Sequence, residues 1–345
     1  MKKSVLSAIR KLEIINAPIP EINSPDDVLI KIMSVGVCGS DVHYYLTGRI
    51  GSQVVKFPFP LGHECAGIVE KTGNNVRTLK KGDKVAIEPA ISCGKCDQCL
   101  SGREHTCRKL RFLGCPGQAE GSLAEYILMP QKCCFKIPEN ISFEEAVISE
   151  PLAIGIYAVK KSIPMKGAKI AILGSGPIGL SVLAAAKSAG AEKIFVTDKI
   201  NSRLQMARNF GATHTLNPEE LDIVSVIKEE APLLLDAVFE CCGQQEALFQ
   251  SFDILKPGGK IMIIGIPPEL DFWQIPVDKS RRNEICIQNV RRQVHCTQIA
   301  LDMIAEKKID FSKMITHRFP LEKVSDAFEI VAAYKDGVMK AMINL

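Results

Sequence analysis

The pattern of apolar and polar positions divides the chain into a part that favours strands and a part in which strands and helices alternate. Up to about residue 150 there is little helical periodicity, and apolar runs such as Val28–Val35 and Cys65–Glu70 are separated by turns rich in glycine and proline. From there to about residue 290, apolar runs of strand length alternate with helical patterns, and two more helices are predicted near 297–307 and 324–336. Such alternation predicts an α/β protein with a doubly wound parallel sheet beside a mainly β part.

The stretch from residue 168 to 198 has the pattern of a dinucleotide-binding unit. The apolar run Ile170–Leu173 predicts a buried strand, and a glycine-rich turn, a helical pattern and a second strand ending on Asp198 follow it. In such a turn the glycines allow tight bending, close approach of the pyrophosphate and close helix packing, while the helix start faces the phosphates. A glycine-rich turn without a ligand is the alternative. The residues predicted to bind the dinucleotide here are Gly174, Gly176, Pro177, Ile178, Gly179 and Asp198.

The acidic end of the second strand favours NAD over NADP. A carboxylate about 20 residues beyond the glycines accepts hydrogen bonds from both ribose hydroxyls and repels a 2′-phosphate. The residues after Asp198, Lys199 to Arg203, hold no pair of arginines that could clamp that phosphate, and we expect Arg203 to flank the adenosine.

Four cysteines lie within fifteen positions of a glycine-rich, charged segment. Four thiolates suit tetrahedral zinc, and a closed site of this type is structural. A redox pair is the alternative, although such a pair usually opens a helix of a βαβ unit, and a nucleic-acid zinc ribbon would split its ligands into two distant pairs. The predicted ligands are Cys93, Cys96, Cys99 and Cys107.

A second candidate metal centre combines Cys38, His63 and Glu64. A thiolate, an imidazole and a carboxylate on separate loops form a plausible set of three zinc ligands that leaves a fourth position open for substrate. Taken alone, Cys38 is more typical of a buried free thiol and His63 of a core histidine.

The chain resembles the zinc-dependent medium-chain alcohol dehydrogenases essentially from end to end. The resemblance rests on Gly62-His63-Glu64 followed by Gly67, on the four-cysteine segment and on a nucleotide unit in the second half. The segments 38–44, 149–152 and 316–321 are most similar to the sorbitol and xylitol (polyol) dehydrogenases. The resemblance implies a GroES-like catalytic domain over 1–152, an NAD-binding Rossmann domain over 153–290 and a return to the catalytic domain over 291–345.

In this family the resemblance implies a catalytic zinc held by Cys38 and His63. Glu64 and Glu150 are its direct or water-bridged carboxylate partners, and the sequence leaves open which of them binds directly. Asp41 matches the carboxylate that orients the zinc histidine, against the alternative of an ordinary turn aspartate.

Two more residues near Cys38 match the positions of a proton relay. The resemblance places Ser40 and His43 there, and a surface-exposed His43 is the alternative. Zinc as a Lewis acid lowers the pKa of a bound oxygen to about 7, and NAD accepts the hydride. The predicted catalytic residues are Ser40 and His43 together with the two carboxylates Glu64 and Glu150.

The resemblance also indicates a polar substrate pocket. Tyr44, Glu150, Arg292 and Gln293 match positions that contact a polyol, although the animal sorbitol enzymes have aromatic residues near 291–293. Arg291 could serve a phosphorylated polyol or be a solvated surface residue. Because ligands of open α/β sheets bind beyond the carboxyl ends of the strands, the nicotinamide is predicted to lie near a further set of residues. These are Gly265, Ile266, Val290, Arg291 and Arg292.

The predicted function is therefore the zinc- and NAD-dependent interconversion of a polyol, such as sorbitol or xylitol, and its ketose. One alternative is a related zinc dehydrogenase acting on L-threonine or on a sugar or polyol phosphate. The alternative of another class is a non-catalytic, zinc-stabilised binding protein with this fold.

Length, charge and composition limit the number of domains, the binding partners and the cell compartment that we expect for this chain. A chain of 345 residues exceeds the size of one core, and a net charge of +4 argues against nucleic-acid or membrane partners. No apolar stretch of membrane-spanning length and no signal peptide are recognised. Thirteen cysteines without an export signal favour a reducing cytoplasm. From the resemblance we expect a homo-oligomer, either a dimer or a homotetramer.

Overall fold

The computed structural model describes residues 1–267 and 272–345, which form two compact units. The first unit comprises Met1–Glu150 and Thr297–Leu345, and the second comprises Pro151–Cys296. The predicted domain boundaries after residues 152 and 290 fall two and six residues away from these divisions (152 against 150, 290 against 296).

The described residues contain strands and helices with the following bounds. The strands are β1 Lys2–Ala8, β2 Lys11–Asn16, β3 Asp27–Gly36, β4 Arg49–Ile50, β5 Gln53–Val54, β6 Glu64–Thr72, β7 Lys84–Ile87, β8 Ala90–Ile91, β9 Arg111–Phe112, β10 Tyr126–Pro130, β11 Cys134–Lys136, β12 Lys169–Leu173, β13 Lys193–Thr197, β14 His214–Leu216, β15 Leu235–Glu240, β16 Leu255–Ile263, β17 Cys286–Asn289, β18 Ile315–Pro320 and β19 Lys340–Asn344. The helices are α1 Gly39–Thr47, α2 Asp97–Leu100, α3 Phe143–Val147, α4 Ser149–Lys161, α5 Pro177–Ser188, α6 Asn201–Phe210, α7 Ile223–Glu230, α8 Gln245–Ile254, α9 Val277–Arg282, α10 Thr297–Ala305 and α11 Val324–Ala332.

The first unit is built on a seven-stranded sheet with the order β11-β7-β6-β3-β19-β18, and β10 also pairs with β3. Strand β3 lies at its centre because its apolar run is buried almost throughout, with Ile30, Ile32 and Val35 fully covered. The expectation of a mainly β first part is confirmed, and the C-terminal strand β19 completes this sheet beside β3.

The second unit holds a six-stranded sheet in the order β14-β13-β12-β15-β16-β17, and every pair of neighbouring strands is parallel. Its central strands β12, β13 and β15 are apolar runs buried on both faces, as the pattern of residues 170–173 predicts for β12. The chain leaves β12 toward β13 on one side and resumes with β15 on the other, so the carboxyl ends of β12 and β15 flank the topological switch point. The predicted α/β class is confirmed.

Of the three candidate ligands expected on loops, Cys38 and His63 directly precede α1 and β6, whereas Glu64 is the first residue of β6. Cys38 is the N-cap of α1, and the Asp41 side chain accepts a hydrogen bond from the Cys38 backbone N–H. The residues 257–259 lie within β16, where the register between β15 and β16 shifts.

Within the described part of the chain, no helix is both long enough and apolar enough to cross a lipid bilayer.

Candidate active site and metal centres

The first unit brings Cys38, His63 and Glu64 together at one end of its sheet. One ligand atom from each of these residues lies within 4.8 Å of the other two. The strands explain the meeting, because Gly36 at the end of β3 pairs with Glu64 at the start of β6. Cys38 follows that strand end by two residues and His63 precedes β6 directly. His63 and Glu64 are buried, as a site shielded from water requires.

Asp41 contacts the histidine that the resemblance predicts it to orient. One carboxylate oxygen, Oδ1, lies 3.4 Å from His63 Nδ1 and accepts the N–H of Gly62 at 3.1 Å. The side chain is 1% exposed, so these contacts are made in a dry environment where they are strong. The ring of His63 also packs against Phe112, with 5.3 Å between ring centroids.

Glu64 is held by a residue that the sequence analysis missed. Nζ of Lys340, on β19, donates to both carboxylate oxygens at 2.9 and 2.7 Å, and both side chains are almost fully buried. A Cβ on Gly36 would lie 2.4 Å from Glu64 Oε2, so only glycine fits beside this pair. A lysine within the otherwise apolar segment 338–343 was the available signal, since a buried lysine requires a partner.

The charges around this site favour a cation. Burial lowers the pKa of His63, but Asp41 and Cys38 raise it by more, to well above its usual value. Burial likewise opposes the charge of Lys340, while Glu64 and Cys38 hold its pKa above the usual value. Thiol, imidazole and carboxylate donors in an electronegative, buried position are a set that fits zinc.

Glu150 lies next to this group without belonging to it. Its carboxylate is outside the set of atoms within 4.8 Å. Burial raises the pKa of Glu150 to about 8, and Glu64 adds to the effect while His63 opposes it. Glu150 is thus a carboxyl group near the site whose charged form is disfavoured by burial.

The helix α1 places the predicted relay residues on one element. Ser40 Oγ donates to Cys38 Sγ at 3.4 Å. His43, three residues later, is partly buried, and burial lowers its pKa. The buried Tyr44 donates its hydroxyl to Gln53 Oε1 at 3.1 Å and lies 3.8 Å from Cys115 Sγ.

The four cysteines of the charged segment converge in the first unit. Their Sγ–Sγ distances include 3.6 Å for Cys96 to Cys99, 3.8 Å for Cys96 to Cys107 and 4.0 Å for Cys93 to Cys99. Tetrahedral zinc with Zn–S bonds of about 2.3 Å requires sulfur atoms about 3.8 Å apart. Backbone N–H groups of Cys93 and Lys109 donate to Cys107 Sγ. The donor set therefore fits a closed four-thiolate zinc site.

In the second unit the glycine-rich turn has the predicted geometry. Gly174 has φ 103°, and a Cβ on Gly179 would lie 1.9 Å from the Gly174 carbonyl oxygen. Helix α5 begins with Pro177 and Ile178 after Gly176 as its N-cap. Asp198 accepts the Ser175 N–H at 2.8 Å and the Ile200 N–H at 2.9 Å. Arg203 lies beside the turn, since its Nη1 is 3.7 Å from the position of a Cβ on Gly176.

The remaining predicted cofactor and substrate residues lie at or after the ends of β16 and β17. The N–H of Gly265 donates to the Glu240 carbonyl oxygen, and that of Val290 to the Ile263 carbonyl oxygen. Ile266 is exposed. Arg291 is exposed, Arg292 adopts a φ of 58°, and Gln293 is buried with its Oε1 accepting the Cys296 N–H.

Comparison with known proteins supports a zinc-binding dehydrogenase. The family described as "Alcohol dehydrogenase GroES-like domain" matches residues 24–139, and the family described as "Zinc-binding dehydrogenase" matches residues 177–306. The sorbitol dehydrogenase of Bacillus subtilis is 39% identical over 99% of this chain and 97% of the relative. The L-idonate 5-dehydrogenase of Vitis vinifera is 35% identical over 99% of this chain and 93% of the relative.

Solved structures show the same architecture. An Escherichia coli oxidoreductase/dehydrogenase of unknown specificity superimposes with a TM-score of 0.94 at 35% identity, covering 99% of this chain and 98% of that one. A putative zinc-binding dehydrogenase from Sinorhizobium meliloti, bound to NADP, gives a TM-score of 0.91 at 32% identity, covering 100% and 99%. The chain therefore belongs to the zinc-dependent medium-chain alcohol dehydrogenase family, whose members are oxidoreductases that act on CH–OH groups.

Proposed function

We propose that the protein is an NAD- and zinc-dependent polyol dehydrogenase that interconverts a secondary hydroxyl of a polyol and the carbonyl of a ketose. The observation that carries the proposal is the group of the half-buried Cys38 and the buried His63 and Glu64, next to a helix that presents Ser40 and His43. The relatives named sorbitol dehydrogenase and L-idonate 5-dehydrogenase support a polyhydroxylated substrate.

Cys38 and His63 are the proposed protein ligands of the catalytic zinc. The chemistry that zinc supplies when bound is Lewis-acid polarisation, which lowers the pKa of a substrate hydroxyl. Lys340 already engages both oxygens of Glu64, and this favours Glu150 as the carboxylate partner of the site. The second zinc is assigned to Cys93, Cys96, Cys99 and Cys107.

The residues of α1 are proposed to carry the proton of the reacting hydroxyl away. Ser40 Oγ, next to Cys38, is the first acceptor and passes its own proton on. Burial lowers the pKa of His43, so its imidazole is neutral at pH 7 and can take that proton. Asp41 keeps His63 in place during this transfer through its contact with Nδ1.

NAD is the proposed cofactor, and the chemistry that it supplies when bound is acceptance of the hydride. The start of α5, after Gly174 and Gly176, would hold the pyrophosphate, because free N–H groups and the helix dipole face it. Asp198 is proposed to accept the ribose hydroxyls and exclude a 2′-phosphate, with Arg203 beside the adenosine.

Tyr44, Arg292 and Gln293 remain the proposed substrate-binding residues. If Arg292 holds a substrate hydroxyl, Arg292→Ala should lower kcat/KM for polyols by the factor that corresponds to about 1–3 kcal/mol of lost transition-state stabilisation. The kcat/KM for a monohydric secondary alcohol, which lacks that hydroxyl, should change little. Equal losses of kcat/KM on both substrates would mean that Arg292 serves cofactor binding or the fold. Arg281→Ala, at an exposed position of α9 outside the predicted site, is the control.

A panel assay of the zinc-loaded protein tests the proposed function. NADH formation is measured with sorbitol, xylitol, L-idonate, L-threonine and a polyol phosphate at equal concentrations. We expect the highest kcat/KM with an unphosphorylated polyol. A preference for L-threonine or for the phosphate would instead support the corresponding related dehydrogenase. Turnover of no substrate by a zinc-loaded protein that binds NADH would favour the binding protein.

We also propose a cytoplasmic homo-oligomer. All thirteen cysteines are free thiols, as in proteins of reducing compartments. Strand β17 lies at the end of its sheet, and Val277, which lines a surface pocket together with Cys286 of β17, is an exposed apolar residue that a second copy could cover.

A further inference from the structure

The carboxylate of Glu240 is fully buried at the carboxyl end of β15, beside the topological switch point of the second unit. Glu240 pairs with Leu173, the last residue of β12 before the glycine-rich turn, and with Ile263 at the end of β16. Its backbone carbonyl oxygen accepts the N–H groups of Ile264 and Gly265. One residue thus contacts the chain segments that leave three neighbouring strands.

The two carboxylate oxygens of Glu240 have different surroundings. Oε1 accepts the N–H of Cys242 at 2.8 Å and of Gly243 at 2.6 Å, and it also lies 3.1 Å from Cys242 Sγ. Oε2 is buried and accepts no hydrogen bond from any residue within 1–267 and 272–345. The side chain therefore holds the segment 241–243 through one oxygen alone.

Three glycines pack around this segment with no space for a side chain. A Cβ on Gly174 would lie 2.9 Å from Cys242 Cβ, and a Cβ on Gly243 would lie 2.4 Å from the Ile266 carbonyl oxygen. A Cβ on Gly265 would lie 2.2 Å from the Gly243 nitrogen and 2.5 Å from Glu240 Oε2. A displacement of 241–243 would therefore push directly on the turn that begins at Gly174.

Stability alone does not account for a glutamate at this position. Burial raises the pKa of Glu240, although the N–H groups of Cys242 and Gly243 oppose the effect. A buried carboxylate with one unsatisfied oxygen is less favourable than an apolar side chain of the same size, and such groups concentrate at functional sites.

We propose that Glu240 is a positioning residue for the dinucleotide: by fixing the N–H groups of Cys242 and Gly243, it holds the segment 241–243 against the Gly174 turn and keeps that turn in its binding conformation. The inference rests on the proposed NAD-dependent function. It predicts that loss of the carboxylate weakens cofactor binding in a chain that still folds.

The test compares three variants by fluorescence titration with NADH, together with thermal unfolding and zinc content. Glu240→Ala removes the acceptor and should raise the Kd for NADH at least tenfold. Glu240→Gln keeps a carbonyl oxygen, a weaker acceptor, for both N–H groups. Its Kd for NADH should lie between those of Glu240→Ala and the unmodified protein. In turnover, the KM for NAD should rise in both variants while kcat at saturating NAD changes little.

Asp236→Asn is the matched control because Asp236 lies on the same strand at its opposite end. Its carboxylate accepts the Lys169 N–H at 2.7 Å and pairs with Lys256. This variant should lower the unfolding temperature and leave the Kd for NADH within twofold.

Unchanged NADH binding by folded Glu240→Ala and Glu240→Gln would overturn the inference while leaving the proposed function intact. If Glu240→Ala does not fold, Glu240→Met, which fills the space without an oxygen acceptor, replaces it, and an unchanged Kd for Glu240→Met overturns the inference. Failure of the unmodified protein to bind either NADH or NADPH would overturn the proposed function and the inference together.

Discussion

The carboxylate of Asp198 combines a charge with two backbone contacts. Because it accepts the N–H groups of Ser175 and Ile200, it shapes the turn as well as the ribose site. Asp198→Ala should therefore narrow the preference for NAD over NADP and also weaken binding of both. The ratio of kcat/KM values for the two cofactors measures the effect.

Asp222→Ala is the control for this prediction, since Asp222 caps α7 by accepting two backbone N–H groups but lies on another element. It should leave the cofactor preference unchanged. Comparable efficiency with both cofactors in the unmodified protein would contradict the assignment of Asp198.

The buried ion pair of Lys340 and Glu64 gives a prediction for stability at the level of single residues. Lys340→Met leaves a buried carboxylate without its counter-charge, which should lower the free energy of unfolding by about 3–5 kcal/mol. Adding Glu64→Gln should recover part of that loss. Denaturant unfolding measures both, and Lys2→Met, which breaks an exposed pair with Glu322, should change little.

Residues that act through local geometry could be predicted, whereas residues that act through distant contacts could not. Gly174, Gly176 and Asp198 belong to one continuous motif whose spacing has a physical reason. Lys340 lies 276 positions from Glu64, and the two meet only because β19 enters the sheet next to β3. No local pattern encodes that pairing.

At the scale of elements, the two metal sites should respond differently to substitution. Cys96→Ser or Cys99→Ser should remove about one zinc per chain and lower stability, because structural zinc contributes to the folding free energy. His63→Ala should abolish turnover in a chain that still folds and still binds NADH. Metal analysis with circular dichroism separates the two results, and one zinc in the unmodified protein would show that a site is misassigned.

The start of α3 gives a prediction for how the stability of the protein depends on pH. Ser142 and Glu145 form a capping box, and Lys307 pairs with Glu145. Burial alone would raise the pKa of Glu145, but the hydrogen bonds from Lys307 and Ser142 lower it below its usual 4.5. This contribution to stability is present above pH 4.5 and is lost as the pH falls through the lower, folded pKa.

Glu145→Gln should therefore lower the free energy of unfolding by about 1 kcal/mol at pH 7 and by less at pH 3. Urea titrations of both proteins at pH 7 and pH 3 measure this change in the free energy of unfolding. An equal loss at the two pH values would mean that packing, not charge, is responsible, and Glu139→Gln at an exposed position is the control.

Helix α1 shows why element types near the site were harder to predict than the sheets. The first 150 residues show little helical periodicity, yet the capping box at Cys38 and Asp41 starts a helix there. That helix brings Ser40, His43 and Tyr44 onto one element.

For the whole molecule, the exposed edge of the second sheet predicts how copies associate. Val277→Glu places a charge beside β17 and should shift the protein toward monomers in light scattering after gel filtration. Leu233→Glu, at another exposed apolar position of the same unit, should not. An unchanged mass for Val277→Glu would exclude this edge as the interface.

The most direct test of the central claim follows a labelled hydride. Sorbitol carrying deuterium at the reacting carbinol carbon is incubated with NAD and the zinc-loaded protein, and both products are analysed by mass spectrometry. The account predicts one deuterium in the reduced cofactor and a ketose that has lost it, with neither product formed by His63→Ala. Reduced cofactor without deuterium, or no reduction with sorbitol or any other labelled polyol, would contradict it.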